Sequence, residues 1–256
     1  MFSVINLLIA AALFATMVAL EQLGWRLGER QRQRLPEGRK IATSVAEGAV
    51  FGLLGLVLAF TFSGAGARYE ERWHLVVDES NAIGTAWLRI DILPAAAQPH
   101  IRNLFRQYLD ARIARYRVVS GLARMQPDSG KAAALQKEIW SASVAAASNS
   151  GQVAPFTVFL PALNEMFDLA TTREAARRLH PPGVVFVMVG ILTLVGALFA
   201  GYGMAGSSRS WLHLIGFAAV LTMTLFVITD YEFPRAGLIR IDPIDSLLFD
   251  LRQSMN

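Results

Sequence analysis

The sequence predicts an all-α polytopic membrane protein with four transmembrane helices and an extramembrane helical region, and two observations carry that prediction. Uncharged stretches occur at Phe2 to Leu20, Gly48 to Ala67, Gly183 to Ser208 and Ser210 to Thr229. A hydrocarbon core about 30 Å thick is crossed by about 20 apolar helical residues, and charges are rare inside spans because burying one is costly. Composition agrees: 54% of residues are hydrophobic, 17% are charged and mean hydropathy is +0.39. The lipid bilayer is therefore the first expected partner.

The first span lacks the positive residues that open a secretory signal, its apolar run is long, and no small-x-small cleavage site follows it. It reads as a retained helix. An arginine-rich hydrophilic loop is expected from Glu21 to Ser44, with Arg26, Arg30, Arg32, Arg34, Arg39 and Lys40, broken at Pro36 and Gly38. Residues 1–67 thus form a first transmembrane hairpin, with spans at about 2–20 and 48–67. No proline interrupts Ile41 to Leu93, and apolar spacing continues beyond the span through Tyr69, Trp73, Val76, Val77, Ile83 and Trp87. One helix of about 50 residues, roughly 75 Å at 1.5 Å per residue, is expected to reach into water.

Residues 68–182 continue that span as an extramembrane helical region. His100 to Ser120 is amphipathic, with Ile101, Leu104, Phe105, Tyr108, Leu109, Ile113 and Tyr116 opposite Arg102, Arg106, Arg112 and Arg115, a basic face read as solvated. A turn is expected at Gln126 to Gly130, then helices over Lys131 to Ser150 and Ala162 to Leu179, the latter ended by Pro181 and Pro182. Residues 183–230 form a second hairpin that turns around Gly206 to Arg209. Residues 231–256 read as an amphipathic C-terminal tail.

Function classes narrow quickly. The net charge of +4 comes mainly from arginine, which in a membrane protein sets topology and lipid contact. No nucleic-acid recognition motif is present, so nucleic acid is not an expected partner. The absence of cysteine removes disulfides, thiolate metal sites and cysteine nucleophiles. His74, His100, His180 and His213 include no i,i+4 pair, and there is no Gly-x-Ser-x-Gly elbow or phosphate loop. Neither catalysis nor a cofactor nor a metal is expected.

The second span carries the candidate site. Gly48, Gly52, Gly55, Ala59 and Ser63 fall within about 80° of one another at 100° per residue, a stripe that lets helices approach closely. Gly52, Leu56 and Phe60 recur every four residues on the adjoining face. They suit either an ordinary bundle core or an apolar ring that gates by dewetting. Glu47 at the entrance suits an acidic ring or a favourable charge near a helix N-terminus. Arg68, Glu71 and Arg72 lie one turn apart, so Arg68 is expected to pair with Glu71 and reach a neighbouring helix. Asp230 and Glu232 cap the fourth span, with Arg235 and Arg240 placed to neutralise them.

The run Phe60-Thr-Phe-Ser-Gly-Ala-Gly-Ala-Arg68-Tyr69-Glu70-Glu71-Arg72 resembles the bestrophin segment in which a pore-lining helix ends in Phe before an Arg-aromatic-x-Glu-x-Arg pattern. Leu58 to Leu93 is more closely similar to the bestrophin-like domain family of bacterial membrane proteins, above all in Arg68-Tyr-Glu-Glu-Arg and Glu79-Ser-Asn-Ala-Ile-Gly-Thr-Ala. Asp230-Tyr-Glu-Phe-Pro-Arg-Ala-Gly-Leu-Ile-Arg240 carries the same likeness. The resemblance implies a homo-oligomer in the bacterial inner membrane, a pentamer, passing ions through a central pore. The second helix of each subunit would line that pore, with a neck at Gly52, Leu56 and Phe60. The aspartate run that clasps calcium in animal bestrophins has no counterpart, since Asp242, Asp245 and Asp250 are spread apart, so no calcium gate is implied.

Two functions compete: an oligomeric ion channel, and a non-conducting membrane scaffold or sensor whose extramembrane helices bind a partner. Orientation also has two readings. Six Lys/Arg in the first loop favour that loop in the cytoplasm, while Arg68, Arg72, Arg173, Arg177 and Arg178, with the bestrophin resemblance, favour a cytosolic 68–182 region.

Overall fold

The computed structural model describes residues 2–32, 37–119, 129–151, 153–206, 211–234, 238–239 and 242–255, with the side chains of 2–5, 32, 37–43, 115–119, 129 and 242–245 set aside. In chain order the helices are α1 (Phe2–Arg32), α2 (Glu37–Leu88), α3 (Gln98–Val119), α4 (Ser129–Ser150), α5 (Ala154–Arg178), α6 (Gly183–Gly203), α7 (Trp211–Glu232) and α8 (Asp242–Ser254), with a 3-10 turn at Arg89–Ile92. No strand occurs among the described residues. Among the described residues, four helical segments are long and apolar enough to cross a membrane. The chain divides into two units, one of residues 1–69 and 180–239, the other of 70–179 and 240–256.

The first unit holds α1, the front of α2, α6 and α7. Its α1 helix runs on to Arg32, through the region expected to be a loop from Glu21, and α2 begins at Glu37. Glycine explains the extension. A Cβ on Gly24 would strike the backbone of Leu198 and Tyr202, one on Gly28 that of Tyr202, and one on Gly201 that of Glu21. The α1 and α6 backbones therefore touch along this seam, as small residues permit in apolar surroundings. Glu29 adds a cap by accepting the Gly206 amide at 2.9 Å. Two apolar clusters complete the unit: Met17, Ala197 and Ala218, and Leu54, Leu58 and Ala65 with Val189 and Ile228. The expected turn after Gly206 lies at 207–209, outside the described residues, as do Arg34 and Pro36.

The second unit gathers the rest of α2, the 3-10 turn, α3, α4, α5 and α8. Phe105, Tyr108 and Leu109 of α3 are fully buried with Ile83, Ile90, Ile139, Phe159, Leu163, Met166 and Leu248. Each such side chain is worth about 1.5–3 kcal/mol of apolar transfer. The α5 helix begins at Ala154, eight residues earlier than Ala162. Pro155 is tolerated in the first turn, where its missing N–H costs nothing, and buried Phe156 and Phe159 hold that turn despite Pro161. The C-terminal tail forms α8. Arg252 Nε reaches Asp110 Oδ1 at 2.8 Å and Arg106 Nε reaches the Met255 carbonyl at 2.8 Å. Most of the turn expected at Gln126 to Gly130 is outside the described residues, while Ser129 and Gly130 already belong to α4.

Candidate functional site

Within the first unit α2 has two unlike faces. Leu54, Leu58, Thr61 and Ala65 are buried at helical spacing. Leu54 Cδ2 sits 3.0 Å from the point where Gly196 would carry a Cβ, and Phe51 packs edge-on against Phe217 at 6.0 Å. The other face is bare: Leu56 is 54% exposed and Phe60 71%. A Cβ at Gly48, Gly52 or Gly55 would meet nothing within 4 Å, and Ala59 and Ser63 are exposed beside them. The small-residue stripe and the Gly52, Leu56, Phe60 row thus lie together on the side of α2 that the rest of the first unit leaves open.

Glu47 departs from the acidic-ring expectation. Seven and eleven residues before Leu54 and Leu58, it shares their packed azimuth, half-buried, with Oε2 3.1 Å from the Cβ point of Gly203. Its neighbour is α6 of the same chain.

The ion pairs differ from expectation in a second way. Arg68 donates from Nε and Nη2 to Glu232 Oε2 at 2.9 and 2.7 Å, while Glu71 is exposed. Glu232 is buried, and its Oε1 lies 2.8 Å from His180 Nδ1, whose ring stacks on Phe233 at 4.9 Å. A buried carboxylate draws in cations because leaving it alone is costly, and Glu71, in solvent, makes no such demand. Arg72 donates to the Ala176 and Leu179 carbonyls at 3.2 and 2.8 Å, satisfying the C-terminal end of α5. Asp230 is buried and accepts the amides of Leu238 and Ile239 at 2.7 to 3.0 Å. Arg235 and Arg240, expected to neutralise these acids, lie outside the described residues.

The basic face of α3 is not simply solvated. Arg112 and Arg173 are both buried against Glu79, which is fully buried, the Arg173 Nη1 to Glu79 Oε2 distance being 2.6 Å. Arg102 and Arg106 lie over the Trp87 ring at 4.6 and 5.4 Å, and Arg102 also pairs with Asp91. The Tyr108 hydroxyl accepts from Gln136 Nε2 at 3.3 Å, and burial pushes its ionisation up to about 12. Glu79 was legible only as part of a motif, because its partners come from α3 and α5. Among the described residues no three His, Asp or Glu side chains gather so as to hold a metal ion.

The profile described as the Bestrophin-like domain matches residues 11–245, nearly the whole chain. The chain belongs to the bestrophin-like domain family. A crystal structure of a membrane protein superposes on it with a TM-score of 0.66, covering 93% of this chain and 98% of that one at 12% identity. At that identity the likeness shows a shared fold. No curated protein matches the sequence. The bestrophin-like fold therefore accounts for the all-α architecture and its several apolar helices, and the bare face of α2 is the feature on which a function has to be built.

Proposed function

We propose that this bestrophin-like protein is an oligomeric ion channel of the bacterial inner membrane, most simply a pentamer, in which α2 of each subunit faces the axis. The open face of α2 carries the reading. The exposed residues of α6 and α7 are bulky, among them Val184, Val187, Ile191, Leu212, Val220 and Met223, as lipid contact favours. The exposed stripe of α2 instead offers Gly48, Gly52, Gly55, Ala59 and Ser63. Small residues contribute little surface to lipid but let helices pack closely, which fits contact with another copy. Leu56 and Phe60 beside them supply the apolar girdle of a neck.

The test is assembly. Mass measurement of the purified protein in mild detergent is expected to give a ring of subunits, and Gly52→Leu to break it while leaving helix content intact, since nothing in its own subunit stands in the way of the new side chain. A wild-type monomer overturns the channel and leaves the membrane scaffold or sensor, whose extramembrane helices in 68–182 would bind a partner, as the better reading.

A further inference from the structure

Glu21 sits inside α1 with no exposed surface, and neither of its carboxylate oxygens has a hydrogen-bond partner among the described residues. The other buried carboxylates among the described residues have a counter-charge or amide donors: Glu232 has Arg68 and His180, Glu79 is paired with two arginines, and Asp230 accepts backbone amides. Among the described residues, the helices packed on α1 offer Glu21 no counter-charge. The α6 helix contains no Asp, Glu, Lys or Arg; its titratable group, Tyr202, has its hydroxyl 3.2 Å from Gln31 Oε1. On α7, His213 is exposed, and Asp230, Tyr231 and Glu232 stand at the opposite end of the helix. On α1 itself, Glu29 is taken up with the Gly206 amide, and Arg26 and Arg30 point to the surface.

We propose that Glu21 is a proton-binding site, neutral while α1 and α6 are in contact, and that its ionisation is coupled to their separation. An unpaired carboxylate in apolar surroundings is far costlier than the neutral acid. At this site solvent cannot relieve the charge without moving backbone, because Gly24, Gly28 and Gly201 leave no gap between the helices. Ionisation hands the Glu21 proton to water and leaves a carboxylate that must be hydrated, so whatever favours the carboxylate favours an open seam, and the converse holds by linkage. The sign follows. The packed state holds a proton that the separated state releases, so stability falls as pH rises.

The inference is independent of conduction, and its test reads no current. Infrared spectra of the full chain in lipid vesicles at about pH 5, where an ordinary glutamate is already mostly ionised, are expected to show a carboxylic-acid C=O band, shifted in heavy water, that is missing from Glu21→Gln. On raising the pH that band should give way to carboxylate absorption. In parallel, the wild-type melting temperature should fall as the pH rises from about 5 to about 8, upward from the ordinary carboxylate range, while Glu21→Gln lacks that fall. Glu21→Leu, which keeps the seam apolar, should assemble and be equally insensitive. A carboxylate signal assigned to Glu21 at about pH 5, or a Glu21→Gln protein that keeps the full wild-type pH slope, overturns the proposal.

Discussion

Arg68 and Glu232, 164 positions apart, are bound by two guanidinium hydrogen bonds to one carboxylate oxygen at 2.9 and 2.7 Å. Breaking a buried pair costs about 3–5 kcal/mol because the surviving charge is stranded. The Arg68 side chain is 22% exposed, so Arg68→Ala should fall toward the lower end of that range. Arg68→Lys keeps the charge but not both donors, and an intermediate loss is expected. Glu71→Gln should lie within about 0.5 kcal/mol of wild type, as for other surface changes. Thermal melts in detergent check the order, and a larger loss for Glu71→Gln than for Arg68→Ala would refute the assignment of partners.

The glycine seam predicts opposite outcomes for one kind of substitution. Gly201→Ala drives a methyl group into the Glu21 backbone, where no side chain can yield, so folded protein should be largely lost. Gly66→Ala meets nothing within 4 Å and should raise stability by up to about 1 kcal/mol through helix propensity. Yield of monodisperse protein and melting temperature measure both.

Tyr108 predicts an alkaline transition. Burial keeps its phenol neutral in the fold up to about 12, whereas an unfolded chain ionises near pH 10. The contribution is complete below pH 10 and is lost as the pH climbs through 12. Tyr108→Phe should flatten the stability profile over that interval, read by denaturant titrations at successive pH values.

Glu79 predicts a second effect in the same core. Glu79→Gln leaves Arg112 and Arg173 buried without their counter-charge, and a loss of about 3–5 kcal/mol is expected. Adding Arg173→Met should restore part of it, because one stranded charge is removed; a double-mutant cycle on denaturation midpoints reads the coupling.

Conduction through an apolar neck predicts little resting current. Replacing Leu56 and Phe60 together by alanine should wet the constriction and increase current in planar bilayers. Val220→Ala serves as the control, because Val220 is exposed on α7, outside the proposed neck, and is not a core residue. Leu54→Ala cannot serve, since Leu54 is 3% exposed and its truncation would open a cavity costing about 2–5 kcal/mol. An assembled double variant that passes no current under any voltage refutes the neck.

The four spans, the long proline-free second helix and the amphipathic α3 were determined by sequence alone, because transfer of side chains into lipid and the 3.6-residue period are local properties that a linear pattern records. The stripe of Gly48, Gly52, Gly55, Ala59 and Ser63 was equally plain, and Gly24 with Gly28 shows the same four-residue spacing. Tertiary structure decided which partner each charged group has. Arg68 chooses Glu232 over nearby Glu71, Arg112 turns inward to Glu79, and Glu47 falls on the packed face, because the cost of burying a charge depends on what surrounds it in three dimensions. It also decided that Glu21, one residue beyond an apparent span, is enclosed: backbone contact at Gly24, Gly28 and Gly201 carries α1 through an arginine-rich stretch that composition alone reads as a loop.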